Sequence, residues 1–202
     1  MSKFKYEDIR TACNLFTKGD WFSKFDYTSG FHHVEIFPEH TKFLGCSWLV
    51  NGHLLYFQFT VLPFGLASAP FVFTKIQKAL VSHWRKQGTR IFTYLDDGAG
   101  TGNSYAEAKA VSKLVQQDVL ASGFVENAEK CLWEHVQCGD LLGFIMDLAS
   151  GLFIVPDQRV ELLQHLLQQS LTMAFLSRLG MWLVLLVAWF LWAWLLVQSC
   201  VS

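Results

Sequence analysis

Three carboxylates carry the strongest chemical suggestion in this chain. Asp26 closes the β-type run Trp21-Phe22-Ser23-Lys24-Phe25, and Asp96 and Asp97 close the run from Ile91 to Leu95. Strand ends place their side chains at one rim of a sheet. Magnesium takes oxygen ligands in near-octahedral geometry, commonly one or two carboxylates, and leaves its other positions to water and phosphate oxygens. Two ions about 4 Å apart activate an attacking hydroxyl and stabilise the oxygen that leaves, which is the chemistry of phosphoryl transfer. Asp26 with the Asp96-Asp97 pair is a sufficient ligand set for Mg²⁺ or Mn²⁺. The same residues also read as turn formers, since Asp-Asp-Gly suits a hairpin and Asp26 a turn cap.

Charge is segregated along the chain. No acidic residue falls between His40 and Tyr94, where Lys42, Lys75, Lys78, Arg85, Lys86 and Arg90 lie, and the stretch from Asp96 to Glu161 is predominantly acidic. A basic surface beside a carboxylate cluster suits an enzyme acting on phosphates, although solvated surface charge gives the same pattern. Hydrophobic residues at 52% against 16% charged exclude a disordered chain, and the formal net charge of -1 gives no whole-chain support for a polyanion partner. The five cysteines form no Cys-x-x-Cys pair and are odd in number, which argues against a disulfide framework or a zinc knuckle and for reduced thiols in an intracellular compartment. Charged residues scattered through the first 25 positions are unlike a signal peptide.

The elements that must position the carboxylates follow from periodicity. Asn51-Gly52 ahead of the run Leu54 to Thr60 signals a hairpin. Ser68 to Gln87 reads as a helix, with Pro70 in its first turn, Phe73, Ile76, Leu80 and Trp84 at helical spacing, and Gly88 as its stop. Ile91 to Leu95 is a strand, and Tyr105 to Ala121 a second amphipathic helix ended by Gly123. Two further strands, 140–146 and 152–155, flank a turn at Ser150-Gly151. Gly98, Gly100 and Gly102 make the segment after Asp97 weakly β. The order predicts an α+β fold.

Leu179 to Val197 differs from the rest: 19 residues carry no charged or polar side chain, and Trp182, Trp189, Trp192 and Trp194 fall among them. Length and apolarity make this hydrophobic helical tail a membrane-span candidate, with a buried helix or an eroded C-terminus as the other readings.

The motifs around the carboxylates resemble those of retroelement reverse transcriptases, most closely the DIRS-type and gypsy-type. Lys24-Phe25-Asp26-Tyr27-Thr28-Ser29-Gly30-Phe31-His32-His33-Val34 is similar to the first palm motif of that family. Leu62-Pro63-Phe64-Gly65-Leu66-Ala67-Ser68-Ala69-Pro70 is similar to the second, and Tyr94-Leu95-Asp96-Asp97 to the third. Glu129-Lys130-Cys131 and Leu142-Gly143-Phe144-Ile145 resemble later palm motifs, and the likeness runs from about residue 20 to residue 167.

The resemblance implies an RNA-directed DNA polymerase, a nucleotidyltransferase that moves a dNMP to a primer 3′-hydroxyl. Its palm, with part of the fingers, would span 20–156 as an antiparallel sheet with helices on one face. Asp26, Asp96 and Asp97 would hold two Mg²⁺ or Mn²⁺ ions, with Asp97 the less direct ligand. Lys130 would donate a proton to pyrophosphate, and Phe31, Phe64 and Gly65 would lie against the incoming nucleotide. Leu142, Gly143 and Phe144 would grip the primer terminus, and Lys75, Lys78, Arg85 and Lys86 would face template phosphates. The partners implied are an RNA/DNA template-primer and dNTPs. His32 and His33 read as packing or surface histidines, with no partner at metal-site spacing.

Set against the family, residues 1–19 correspond to a residual fingers-side segment and 157–178 to a thumb or connection remnant, so the expectation is a truncated, palm-centred fragment, either inactive alone or completed by fingers, thumb or RNase H segments supplied elsewhere. Two other readings accompany it. One is a nucleic-acid-binding relic without catalysis, and the other a small protein inserted in a membrane through 179–197.

Overall fold

The computed structural model describes residues 5–176, with side chains described through residue 170. In chain order the elements are α1 (Ile9–Leu15), β1 (Trp21–Asp26), β2 (Gly45–Val50), β3 (His53–Gln58), α2 (Ala69–Lys86), β4 (Arg90–Tyr94), β5 (Asp97–Gly102) and α3 (Tyr105–Ala121). After them come β6 (Leu132–Val136), β7 (Cys138–Leu141), β8 (Phe144–Asp147), β9 (Leu152–Ile154) and α4 (Asp157–Leu176). Short 3₁₀ turns at Gly30–His33 and Pro38–Phe43 link β1 to β2. The fold is α+β.

The chain divides into two compact units. One takes in Phe22–His135 with the described leading residues through Glu7. The other takes in Asp8–Trp21 and the chain from Val136 onward. The division falls inside the span 20–156 expected as one palm.

The first unit is built on a four-stranded sheet in the order β4-β5-β1-β6, with β4 and β5 antiparallel from Arg90 opposite Thr101 to Tyr94 opposite Asp97. α2 and α3 feed a single core with the sheet: Phe73, Val81 and Trp84 from α2 and Val111, Val115 and Val119 from α3 meet Phe25 and Ile91. Burying each such side chain contributes about 1.5–3 kcal/mol. The indole Nε1 of Trp84 donates to Asp118 Oδ2 at 2.8 Å, which ties the two helices together. Ser104 caps α3 through its Oγ, which accepts from the Glu107 N–H.

The glycine-rich segment after Asp97 is the main departure from expectation, because β5 is a fully paired strand whose residues from Gly98 to Gly102 are buried. The cause is space. A Cβ at position 98 would overlap the Phe25 ring, and one at position 100 would stand 2.8 Å from Val111 Cγ1. Glycine weakens a strand by propensity but here lets an aromatic ring and a helix lie directly on the backbone.

β2 and β3 pair antiparallel through the Asn51-Gly52 turn, where both residues take positive φ (50° and 81°) as a two-residue hairpin requires. Both strands are exposed along their whole length, including Trp48, Leu49, Leu54 and Tyr56.

In the second unit, the expected strand over 140–146 is instead two strands. β7 and β8 pair antiparallel, Leu141 opposite Phe144, across a tight turn at Leu142 (φ 49°) and Gly143 (φ 75°). β8 also pairs with β9. α1 is held by a capping box in which Asp8 and Thr11 exchange hydrogen bonds. The span expected as a thumb remnant is largely the helix α4. The hydrophobic tail 179–197 lies outside the described residues. Among the described residues no helix is long and apolar enough to cross a membrane.

Candidate active site

The sheet order explains how residues 71 apart in sequence come together, since β1 and β5 are neighbours and Asp26 ends one while Asp97 begins the other. The turn between β4 and β5 has only Leu95 and Asp96 between the paired residues Tyr94 and Asp97. Leu95 takes a φ of 50°, a conformation that costs a side-chain-bearing residue about 1–2 kcal/mol. The buried Gln77 of α2 compensates by donating from Nε2 to the Leu95 carbonyl at 2.7 Å. The Tyr27 N–H donates to the Asp96 carbonyl at 3.0 Å, joining the turn to the residue after Asp26.

Asp26 is held from its backbone. Its carbonyl accepts from the Asn127 N–H at 2.8 Å. The Cys131 sulfur lies 3.3 Å from the Asp26 nitrogen, whose N–H it accepts, and 3.5 Å from the carbonyl, to which its thiol donates. Burial pushes that thiol's pKa up, which keeps it protonated for the second bond. The Asp26 carboxylate is almost wholly buried, and Lys130 Nζ stands 3.3 Å from its Oδ2.

The electrostatics are those of like charges crowded together. Burial foremost, then the charge of Asp26 and a hydrogen bond shared with it, push the Asp97 carboxyl up to about 6, against the opposing pull of Lys130. Burial and then Asp26 raise Asp96 in the same way, while Lys130 and His33 oppose. Oδ1 of Asp96 is buried with no hydrogen-bond partner among the described residues. Among the described residues no three His, Cys, Asp or Glu side chains are grouped so as to hold a metal ion. The donors nevertheless suit a hard cation: they are carboxylate oxygens, one is orphaned, and their mutual repulsion is what a divalent charge would relieve.

The first turn after Asp26 packs against the same carboxylates. A Cβ at Gly30 would collide with Asp96 Oδ1 and approach Phe73 Cζ to 2.9 Å. Phe31 is buried in the core, its ring centroid 5.3 Å from Phe64 and 5.4 Å from Phe73. Phe64 is exposed, and Gly65 follows it with a φ of 87° and no atom within 4 Å of where a Cβ would stand. His33 accepts from the Val125 N–H through Nε2 at 3.1 Å, so its proton sits on Nδ1, which faces the Gly30 carbonyl at 3.3 Å.

The four basic residues of α2 do not share one environment. Arg85 donates to Glu7 Oε1 and to the Ile91 carbonyl, both at 2.7 Å, and so ties the leading segment to β4. Lys75 lies 5.6 Å from the Phe71 ring centroid. Lys75, Lys78 and Arg85, with Lys5, Tyr6 and Tyr94, line a cleft of about 370 Å³ between the leading segment, α2 and the end of β4, and Lys86 does not line it. In the second unit, the Leu142-Gly143-Phe144 turn is backed by Arg159, whose guanidinium lies 5.9 Å from the Phe144 ring centroid and fills the space a Cβ at Gly143 would take.

Sequence reasoning did not find Gln77, Cys131 or His33 as supports of this site. Gln77 was open to detection as a polar side chain on the face of α2 shared with Phe73 and Trp84, where burial demands a partner.

Comparison with known proteins agrees with this geometry. Residues 2–146 match the family model described as reverse transcriptase (RNA-dependent DNA polymerase). An uncharacterised protein of Caenorhabditis elegans is 28% identical over 145 residues, which is 71% of this chain and 11% of that protein. A putative enzymatic polyprotein of Cassava vein mosaic virus is 27% identical over 128 residues, 63% of this chain and 19% of the polyprotein. The chain thus spans under a fifth of these relatives. In fold it is similar to the foamy viral protease-reverse transcriptase, with a TM-score of 0.68 in the complex with RNA/DNA hybrid (18% identity, 87% of this chain and 23% of that one). Against the complex with dsDNA the TM-score is 0.72 (17% identity, 94% and 36%). The matched span takes in both strand ends that carry the carboxylates, and the chain belongs to the reverse transcriptase family.

Proposed function

We propose that this chain supplies the polymerase palm of a retroelement reverse transcriptase, adding template-directed dNMP units to a primer 3′-hydroxyl on RNA. The observation that carries the reading is that Asp26 at the end of β1 and Asp97 at the start of β5 lie on adjacent strands, with Asp96 in the turn beside them bearing a buried oxygen that has no hydrogen-bond partner among the described residues. Two Mg²⁺ or Mn²⁺ ions, when bound, would lower the pKa of the attacking hydroxyl and neutralise charge on the departing pyrophosphate.

The chain's own residues would do the rest. Asp26 and Asp96 present oxygens from fixed backbone, and Asp97 follows in the same rim. The exposed Phe64 ring over the buried Phe31 offers an apolar surface for the sugar and base, beside the open backbone at Gly65. Lys75 and Lys78 in their cleft, with Lys86 beyond it, would meet backbone phosphates, giving affinity that falls with salt. Arg85 would act there by fixing the leading segment, since Glu7 and the Ile91 carbonyl engage its guanidinium. The rigid Leu142-Gly143-Phe144 turn would bear on the primer end. The foamy viral neighbours bound to RNA/DNA hybrid and to dsDNA support nucleic acid as the partner class.

Single-nucleotide extension of a DNA primer on an RNA template, in Mg²⁺ and in Mn²⁺, tests the reading. Incorporation of the template-matched dNTP alone is the expected result. A folded chain that binds the hybrid and adds nothing would contradict it.

A further inference from the structure

We propose that Lys130 is a stand-in cation of the metal-free site, holding Asp26 through the oxygen the divalent ion needs and giving way when that ion binds. The inference rests on the reading of the aspartates as metal-holding. The carboxylates of Asp26, Asp96 and Asp97 repel one another, and Lys130 Nζ stands 3.3 Å from Asp26 Oδ2 as an ammonium paired with that one carboxylate. The two ends of that pair are unlike: the Asp26 side chain is 8% exposed and the Lys130 side chain 64%. The carboxylate is therefore fixed, whereas the lysine stem lies largely in solvent and can swing away at little cost, as exposed ion pairs are weak.

The backbone sharpens the contrast. The Lys130 N–H donates to the Asn127 carbonyl at 3.0 Å, the Asn127 N–H donates to the Asp26 carbonyl, and the neighbouring Cys131 brackets the Asp26 peptide. The main chain at 130 is thus locked to that at 26, and side-chain rotation is the freedom that remains. The pairing also bears on the proton-donor role that the family resemblance implies for Lys130. Of the three N–H donors of the ammonium, Asp26 engages one, and displacement by the ion would release that one for the same role.

Mn²⁺ binding to the full chain without nucleotide, followed by the electron paramagnetic resonance signal of free Mn²⁺, tests this. Lys130→Met keeps the stem and removes the charge, and it should tighten Mn²⁺ about two- to fivefold, the range set by breaking a solvent-facing ion pair. Lys130→Gln should tighten it likewise, and Lys130→Arg should not. Asp26→Asn separates the two levels of the argument. If it weakens Mn²⁺ binding while Lys130→Met and Lys130→Gln leave affinity unchanged or lower, the stand-in role is wrong and the metal site survives. If Mn²⁺ binding ignores Asp26→Asn, both fall.

Discussion

Gly30 and Asp96 are in van der Waals contact of a kind that no other residue type at position 30 would permit, because a Cβ there would occupy the place of the Asp96 carboxylate oxygen. The turn after the first strand and the turn after the fourth are thereby set against each other, and the position of the Asp96 carboxylate depends on a missing methyl group.

Gly30→Ala should therefore damage the site through packing alone, since Gly30 is not among the positive-φ residues and alanine meets no backbone penalty there. The added methyl must displace either Asp96 or the Phe73 ring, at about 1–3 kcal/mol. Urea denaturation should show that loss, and primer extension should fall with it. Unchanged stability and activity would contradict the contact.

The raised Asp97 carboxyl makes a prediction about pH. Its folded-state value, about 6, lies above the 3.8 of an unperturbed aspartate, so the folded chain binds the extra proton between those values. The associated stabilisation is complete below the unfolded value and is lost as pH rises through about 6. Without divalent metal, Asp97→Asn should raise the melting temperature at pH 7.5 relative to the parent, and the difference should shrink as pH falls toward 4. A gap that widens at low pH would mean the carboxyl is held ionised by its surroundings.

Gln77→Leu keeps the volume of a fully buried side chain and removes the donor that serves the Leu95 carbonyl. The half-buried Leu95 loses its carbonyl's donor, at about 1–3 kcal/mol where water does not replace it, and the positive-φ turn loses its support. Guanidinium unfolding should show the loss, and amide exchange at Tyr27, which donates to the Asp96 carbonyl, should quicken. Normal exchange at Tyr27 would show that the turn stands without Gln77.

Much of this arrangement was legible in the sequence because it is local. The apolar stripe through Phe73, Leu80 and Trp84 gave α2, with Ile76 of the same expected stripe left exposed, the Asn51-Gly52 step gave the exposed hairpin, and the strand ending in Asp96-Asp97 was bounded by its turn. What escaped depends on contacts distant in sequence. β5 reads poorly because its glycines answer to Phe25 and Val111 and not to strand propensity. β6 shows no clean alternation of buried and exposed positions, with Leu132, Trp133, His135 and Val136 all half-buried. α1 has seven residues and no apolar period to detect, only the cap that Asp8 and Thr11 make for each other. Cys131 supports Asp26 through backbone atoms 105 residues away, which spacing along the chain does not reveal.

The central claim is that the carboxylates brought together at the ends of β1 and β4 perform nucleotidyl transfer, and the rate of a single nucleotide addition under single-turnover conditions tests it most directly. Asp26→Asn and Asp96→Asn, each shown to fold and to bind the RNA/DNA hybrid as the parent does, should each slow that step at least about a hundredfold, as removal of a transition-state charge stabiliser does. Nucleotide addition at the parent rate by either variant would contradict the account.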